Sequence, residues 1–217
     1  DLYYKKYGVS EEQIYRYPFS SIEQKDVLDR PVSSEEKQKL REKLRMPEQY
    51  IVIAVGSFIH RKGFDLLLQA AEQLKEEIGI YFVGGTAPEK WKKLSNTHFL
   101  PFQEWEQLKE YYDAADVFAF PTREDIWGLV INEAMSRGLP VITTARCNAG
   151  LELIEDGRNG YIIPTENVEE LVHKINRVLY EDDRERMGEE ALRTIRDYTI
   201  EKMVESHLER FPGGKSE

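Results

Sequence analysis

Two groups of residues in this chain have the types and spacing to do chemistry. The first is Gly56-Ser57-Phe58-Ile59-His60-Arg61-Lys62-Gly63, in which an apolar run exits through a glycine into two cations and a second glycine. Gly56 permits close approach of backbone to a ligand, and the helix expected to begin at Gly63 offers unpaired amides to an anion. Arg61 and Lys62 at a helix N-terminus are unfavourable by themselves, so they point to a negative ligand that completes the site. The second group runs from Pro121 to Glu133 and holds two carboxylates, Asp125 and Glu133, with Ile126, Trp127, Gly128 and Leu129 between them. The amides of Trp127, Gly128 and Leu129 stand among the unpaired donors of the next helix, where they could hold sugar hydroxyls or a phosphate oxygen. Glu133 lies among Val130, Ile131, Ala134 and Met135; a carboxylate buried there needs a partner. It could accept two hydrogen bonds from a vicinal diol such as a ribose.

Each group also has a plainer explanation. Arg61 and Lys62 fit a solvated pair beside an ordinary turn, and Asp125 alone reads as a helix cap. Trp127 reads more readily as a packing residue than as a ligand platform, His60 as a surface histidine, and Cys147 as a small residue in a loop or core. The first loop has neither the G-x-G-x-x-G of dinucleotide binders nor the G-x-x-x-x-G-K-[ST] of P-loops. No Asp-x-Asp pair occurs, so no metal is expected.

These residues must be positioned by repeated βα units. Strands are expected at 50–55, 80–84, 98–100, 117–120, 140–143 and 161–163, each a nearly continuous apolar run of the kind that helices cover on both faces. Helices are expected between them at 63–77, 88–95, 104–114, 128–137 and 149–156, with Gly79 and Gly138 as stop signals. Right-handed crossovers then give an α/β fold, a doubly wound, Rossmann-like parallel sheet of about six strands. Ligands bind such sheets at the carboxyl ends of the strands, where both residue groups fall. Further helices are expected at 33–45, 167–180, 183–197 and 199–210, with a strand near 14–17 and a flexible tail, GGKSE, at the end. The run EDDRER at 181–186 reads as a solvated helix start.

The 217 residues suit one large domain with extensions, and 41% hydrophobic content supplies a core. A net charge of −10 argues against a general nucleic-acid partner. The lone cysteine excludes a disulfide framework and fits a reducing, cytoplasmic compartment. No apolar run approaches the roughly 20 residues that span a bilayer.

GSFIHRKGFDLLLQA at 56–70, PTREDIWGLVINEAMSRGLPVITT at 121–144 and ELIEDGRNGYIIP at 152–164, in this order, resemble the C-terminal domain of family-4 (group 1) retaining glycosyltransferases, two-domain enzymes of GT-B architecture. The resemblance covers about residues 50–180. It implies that this half binds a nucleotide-sugar donor, with Lys62, and Arg61 beside it, on the diphosphate. Glu133 would hold the ribose, and Asp125 with the amides of Ile126 to Leu129 would face the donor sugar and phosphate. Phe102 and Gln103 would border the nucleobase. Lys62 and Asp125 would be the catalytic pair. Two positions depart from the family: Ser57 replaces the common arginine after Gly56, and Asp125 replaces glutamate.

The resemblance further implies that residues 1–49 are a remnant of an N-terminal domain and linker, 50–198 the donor-binding domain, and 199–217 a terminal helix and tail. The chain begins at Asp1 rather than methionine, so it is expected to be an excised half that binds donor but transfers nothing. The acceptor would belong to the absent half, and the whole enzyme could sit peripherally on a membrane. A non-catalytic nucleotide-binding module and a GT-B-like nucleotide-sugar epimerase remain alternatives. A receiver-like interaction domain would need an acidic cluster where Gly56 and Ser57 stand.

Overall fold

Runs such as YIVIAV and VFAF leave no polar alternate positions, so both faces of the strands they form must be covered. The computed structural model, which describes residues 2–86, 88, 89 and 94–210, builds that arrangement. The strands are β1 (Tyr50–Val55), β2 (Ile78–Val83), β3 (Thr97–Leu100), β4 (Val117–Phe120), β5 (Val141–Thr144) and β6 (Gly160–Ile163). They form one parallel sheet in the order β3-β2-β1-β4-β5-β6. The doubly wound, Rossmann-like fold expected from the sequence is therefore present, and the six strands expected between 50 and 163 are all found. The order reverses between β1 and β4, the switch point above which ligands gather in such sheets. Val52 opposite Val117 and Ile53 opposite Phe118 set that junction, so the loops leaving β1 and β4 emerge side by side.

The helices are α1 (Leu2–Lys6), α2 (Ser34–Leu44), α3 (Phe64–Ala71), α4 (Trp105–Ala114), α5 (Leu129–Ser136), α6 (Asn148–Leu153), α7 (Val168–Tyr180), α8 (Arg184–Ile195) and α9 (Ile200–Arg210). α3 and α7 pack together over one face of the sheet, while α2 pairs with α4, and α8 with α5, over the other. The core between these layers holds Ile51, Ile53, Leu67, Phe82, Phe118 and Phe120, all without solvent exposure. Asp116, at the foot of β4, pairs with the buried Arg41 of α2 at 2.7 Å and accepts the Ile51 amide at 2.8 Å. That pair ties α2 to the sheet. Asp183 caps α8 by accepting the Arg186 amide at 3.0 Å, as the acidic start of that helix predicts. No described helix is long and apolar enough to cross a membrane.

Three local expectations change. The helix after β1 ends at Ala71 rather than 77, because the chain turns there to feed β2. Gly79 is not a helix stop but lies inside β2, where a Cβ would fall 2.7 Å from the Glu48 carboxyl carbon. Glu48 occupies that space because its carboxylate takes the Tyr81 hydroxyl at 2.7 Å and contacts His98 at 2.5 Å. Residues 14–17 join no sheet; Tyr15 bonds Ser206 of α9, and the rings of Tyr17 and His207 meet edge-on at 4.4 Å. The helix expected at 88–95 lies largely outside the described residues, as does the GGKSE tail.

Candidate functional site

The loops leaving β1 and β4 are built as one unit. A single 3-10 turn, His60–Lys62, separates Ser57-Phe58-Ile59 from Gly63, which begins α3 with φ +70°. A Cβ at Gly63 would lie 2.0 Å from the Pro121 carbonyl oxygen, so only glycine lets the loops touch. The Arg61 carbonyl accepts both the Thr122 hydroxyl and the Arg123 amide at 2.8 Å. The Arg123 guanidinium grips Asp65 of α3 at 2.7 and 2.8 Å, donates to the His60 carbonyl at 2.7 Å and also pairs with Glu166. Three chain segments are thereby fixed around the turn that carries the cations.

From that turn the Lys62 side chain runs beside Gly56, where a Cβ would lie 3.8 Å from its Cε. Its ammonium sits 4.9 Å from the centre of the Phe120 ring and 2.5 Å from Asp125 Oδ2. Lys62 and Asp125 side chains are only 13% and 12% exposed, so the pair is largely shielded from solvent. Arg61, half exposed, reaches the same carboxylate oxygen at 3.2 Å. Asp125 thus offsets one of the two positive charges from within the chain, and the cluster keeps a net positive charge toward a ligand.

Asp125 is not a helix cap. Gly128 precedes α5 with φ +96°, and Asp125 Oδ1 closes a local turn by accepting the Trp127 amide at 3.4 Å. The positive φ and the closeness of Cys147 explain why residue 128 is glycine: a Cβ there would fall 2.4 Å from the cysteine sulfur. Cys147 is buried, donates to the Trp127 carbonyl at 2.8 Å, and its thiol is pushed up to about 11 by burial. It is a packing residue. Trp127 packs edge-on against Phe19 at 5.5 Å and donates its indole N–H to Asn132 at 2.9 Å, which fits a structural role. Ile126 beside it is 86% exposed, and its carbonyl is held by Asn148 at 2.6 Å. Leu129 opens α5.

Glu133, one turn further along α5, accepts the hydroxyl of Tyr112 from α4 at 3.0 Å. Burial holds its carboxyl above the usual range, and the Tyr112 hydrogen bond works against that shift. Tyr112 itself is fully buried. Ser57 is exposed in the first loop. Phe102, 70% exposed, and Gln103, bonded to the Pro101 carbonyl at 3.2 Å, follow β3 at the edge of the sheet, two strands from β1. The structure thus joins Gly56, Arg61, Lys62 and Asp125 directly, and leaves Phe102 and Gln103 outside that cluster. Phe120, Thr122, Arg123 and Tyr112 were not singled out by sequence. Each reads there as an ordinary core or loop residue, and only the meeting of two distant loops reveals its part. Among the described residues, no three His, Cys, Asp or Glu side chains gather as metal ligands would.

Comparison with known proteins agrees with this geometry. The family profile for glycosyl transferases group 1 matches residues 36–194. An uncharacterized glycosyltransferase of Haemophilus influenzae is 27% identical over 178 residues, covering 76% of this chain and 50% of that protein. The sucrose-phosphate synthase of Thermosynechococcus elongatus superposes with a TM-score of 0.79 at 25% identity, covering 99% of this chain and 57% of the other. HepE of Anabaena, solved in complex with UDP, has the same fold, with a TM-score of 0.82 at 19% identity over 98% of this chain and 61% of its own. The chain spans about half the length, or less, of the curated relatives it matches. The profile match spans most of the chain, and the chain belongs to the group 1 glycosyl transferases.

Proposed function

We propose that this chain is the donor-binding half of a retaining glycosyltransferase, and that it holds a nucleoside-diphosphate sugar above the β1/β4 switch point. The observation that carries this is the Lys62–Asp125–Arg61 cluster, pinned at that junction beside the glycine-lined approach of Gly56. The diphosphate displaces the Asp125 carboxylate from Lys62, and Arg61 follows it. As the bond from the sugar's anomeric carbon to the diphosphate oxygen breaks, negative charge grows on the leaving group. Placed cations and the amides around Gly128 stabilise that charge, the largest contribution in catalysis of this kind. Asp125, released from Lys62, then faces the donor sugar, while Glu133 takes the ribose hydroxyls. Phe102 and Gln103 border the nucleobase, and Arg61 makes up for the arginine missing at Ser57. No metal takes part. Residues 1–49 and 199–217 are the junction to a second domain that binds the acceptor.

Joining the chain to that second domain and following sugar transfer tests the proposal. Expected are transfer with the anomeric configuration of the donor kept, seen by proton NMR of the product, and a rate indifferent to EDTA. Tight nucleotide binding without transfer would instead mark a binding module, and release of free nucleotide without an acceptor would mark an epimerase-like enzyme.

A further inference from the structure

The Glu133 carboxylate is held unequally. Its Oε2 accepts the Tyr112 hydroxyl at 3.0 Å, and Tyr112 comes from the neighbouring helix α4 with no solvent exposure. Its Oε1 makes no hydrogen bond, and no buried side-chain oxygen or nitrogen among the described residues lacks a partner. Oε1 is therefore open to solvent while Oε2 is anchored in the core. A carboxylate in a largely apolar setting turns freely about its last torsion unless something holds it, and a fixed acceptor loses less freedom on meeting a ligand. The Tyr112 ring is itself clamped between Phe118, at 6.0 Å, and Trp105, at 6.5 Å, so the hydroxyl is a rigid anchor.

We infer that Tyr112 is a positioning residue: it fixes Glu133 so that Oε1 is presented, correctly turned, to the ribose diol of the donor nucleotide. The inference rests on the proposed ribose role of Glu133. A phenol in the core could be there for packing alone, but packing needs the ring and not the hydroxyl. Among the described residues, Tyr112 is also the one titratable side chain that bears on the ionisation of Glu133, and its hydrogen bond favours the charged form. Removing the hydroxyl therefore leaves Glu133 harder to ionise.

The test compares UDP, ADP and GDP with their 2′-deoxy counterparts by calorimetric titration of the chain, over a range of pH. Wild type should prefer the ribonucleotide of the binding pair by about tenfold. Tyr112→Phe should cut the preference to within about threefold and move the acid limb of binding to higher pH. Glu133→Gln should abolish the preference. If Tyr112→Phe keeps both the preference and the wild-type pH profile while Glu133→Gln loses the preference, Tyr112 only packs and the inference fails. If Glu133→Gln keeps the preference, the ribose role of Glu133 fails first and the inference with it. Should Tyr112→Phe not fold, the Tyr112 ring carbon bearing the hydroxyl is followed by carbon NMR in wild type. Its shift should respond to the ribonucleotide and to the titration of Glu133; a signal blind to both overturns the inference.

Discussion

At the scale of single residues, the site is poised rather than vacant, because its cations already face a carboxylate. Lys62 and Asp125 lie 2.5 Å apart with little exposure, so the incoming diphosphate competes with an internal partner. Asp125→Asn removes that competition. It should tighten the binding of a free nucleoside diphosphate by about tenfold, near 1.4 kcal/mol, in a calorimetric titration; weaker binding would mean that Asp125 aims Lys62 instead of masking it. Glu133 gives a second residue-scale prediction. Its carboxyl is raised by burial, and an acid raised in the folded state contributes stability below its unfolded value and loses it as pH rises through its folded value. At neutral pH the charged Glu133 is therefore a strain on the fold. Glu133→Gln should gain about 1 kcal/mol there, seen in thermal melts, and the gain should vanish near about pH 4. Residue types made Lys62, Asp125 and Glu133 visible as candidates. Their pairing was not visible, because Lys62 and Asp125 are joined only when β1 and β4 become neighbours.

At the scale of elements, continuous apolar runs made the strands legible, since YIVIAV and VFAF are too short for a buried helix and rich in β-branched and aromatic residues. Helix ends were less legible. Gly79 looked like a stop signal, yet it is a strand residue kept small by the Glu48 side chain, a contact from a segment 31 positions earlier that no local pattern reveals. Gly63 shows the same principle in the site. Its αL conformation and the Pro121 carbonyl 2.0 Å from a would-be Cβ mean that Gly63→Ala must part the two loops. The substitution should cost about 3 kcal/mol of stability in denaturant unfolding, and nucleotide binding should fall with it. A variant that binds normally would show that the loops need not touch.

At the scale of the whole molecule, this chain covers 57% and 61% of two solved proteins that share its fold, the sucrose-phosphate synthase and HepE. The proposed division of labour puts the donor here and the acceptor elsewhere. The chain alone should thus bind nucleotide yet transfer no sugar to any acceptor offered, with a rate at least about a thousandfold below that of the joined protein. Product analysis by mass spectrometry checks this; turnover by the chain alone would place an acceptor site within it. The overall architecture was the most legible level, because strand number, parallel pairing and crossover hand leave few alternatives. The switch point between β1 and β4 emerged only with the sheet order, which depends on pairings between strands far apart in the chain.

The central claim is that a nucleoside diphosphate binds above that switch point through Lys62 and Glu133. Calorimetric titration of the chain with UDP, GDP and ADP tests it most directly, alongside Lys62→Ala and Glu133→Ala. One nucleotide should bind with a 1:1 stoichiometry, and each substitution should weaken it at least about tenfold. If none of the three binds, or if both variants bind as wild type does, the site is elsewhere.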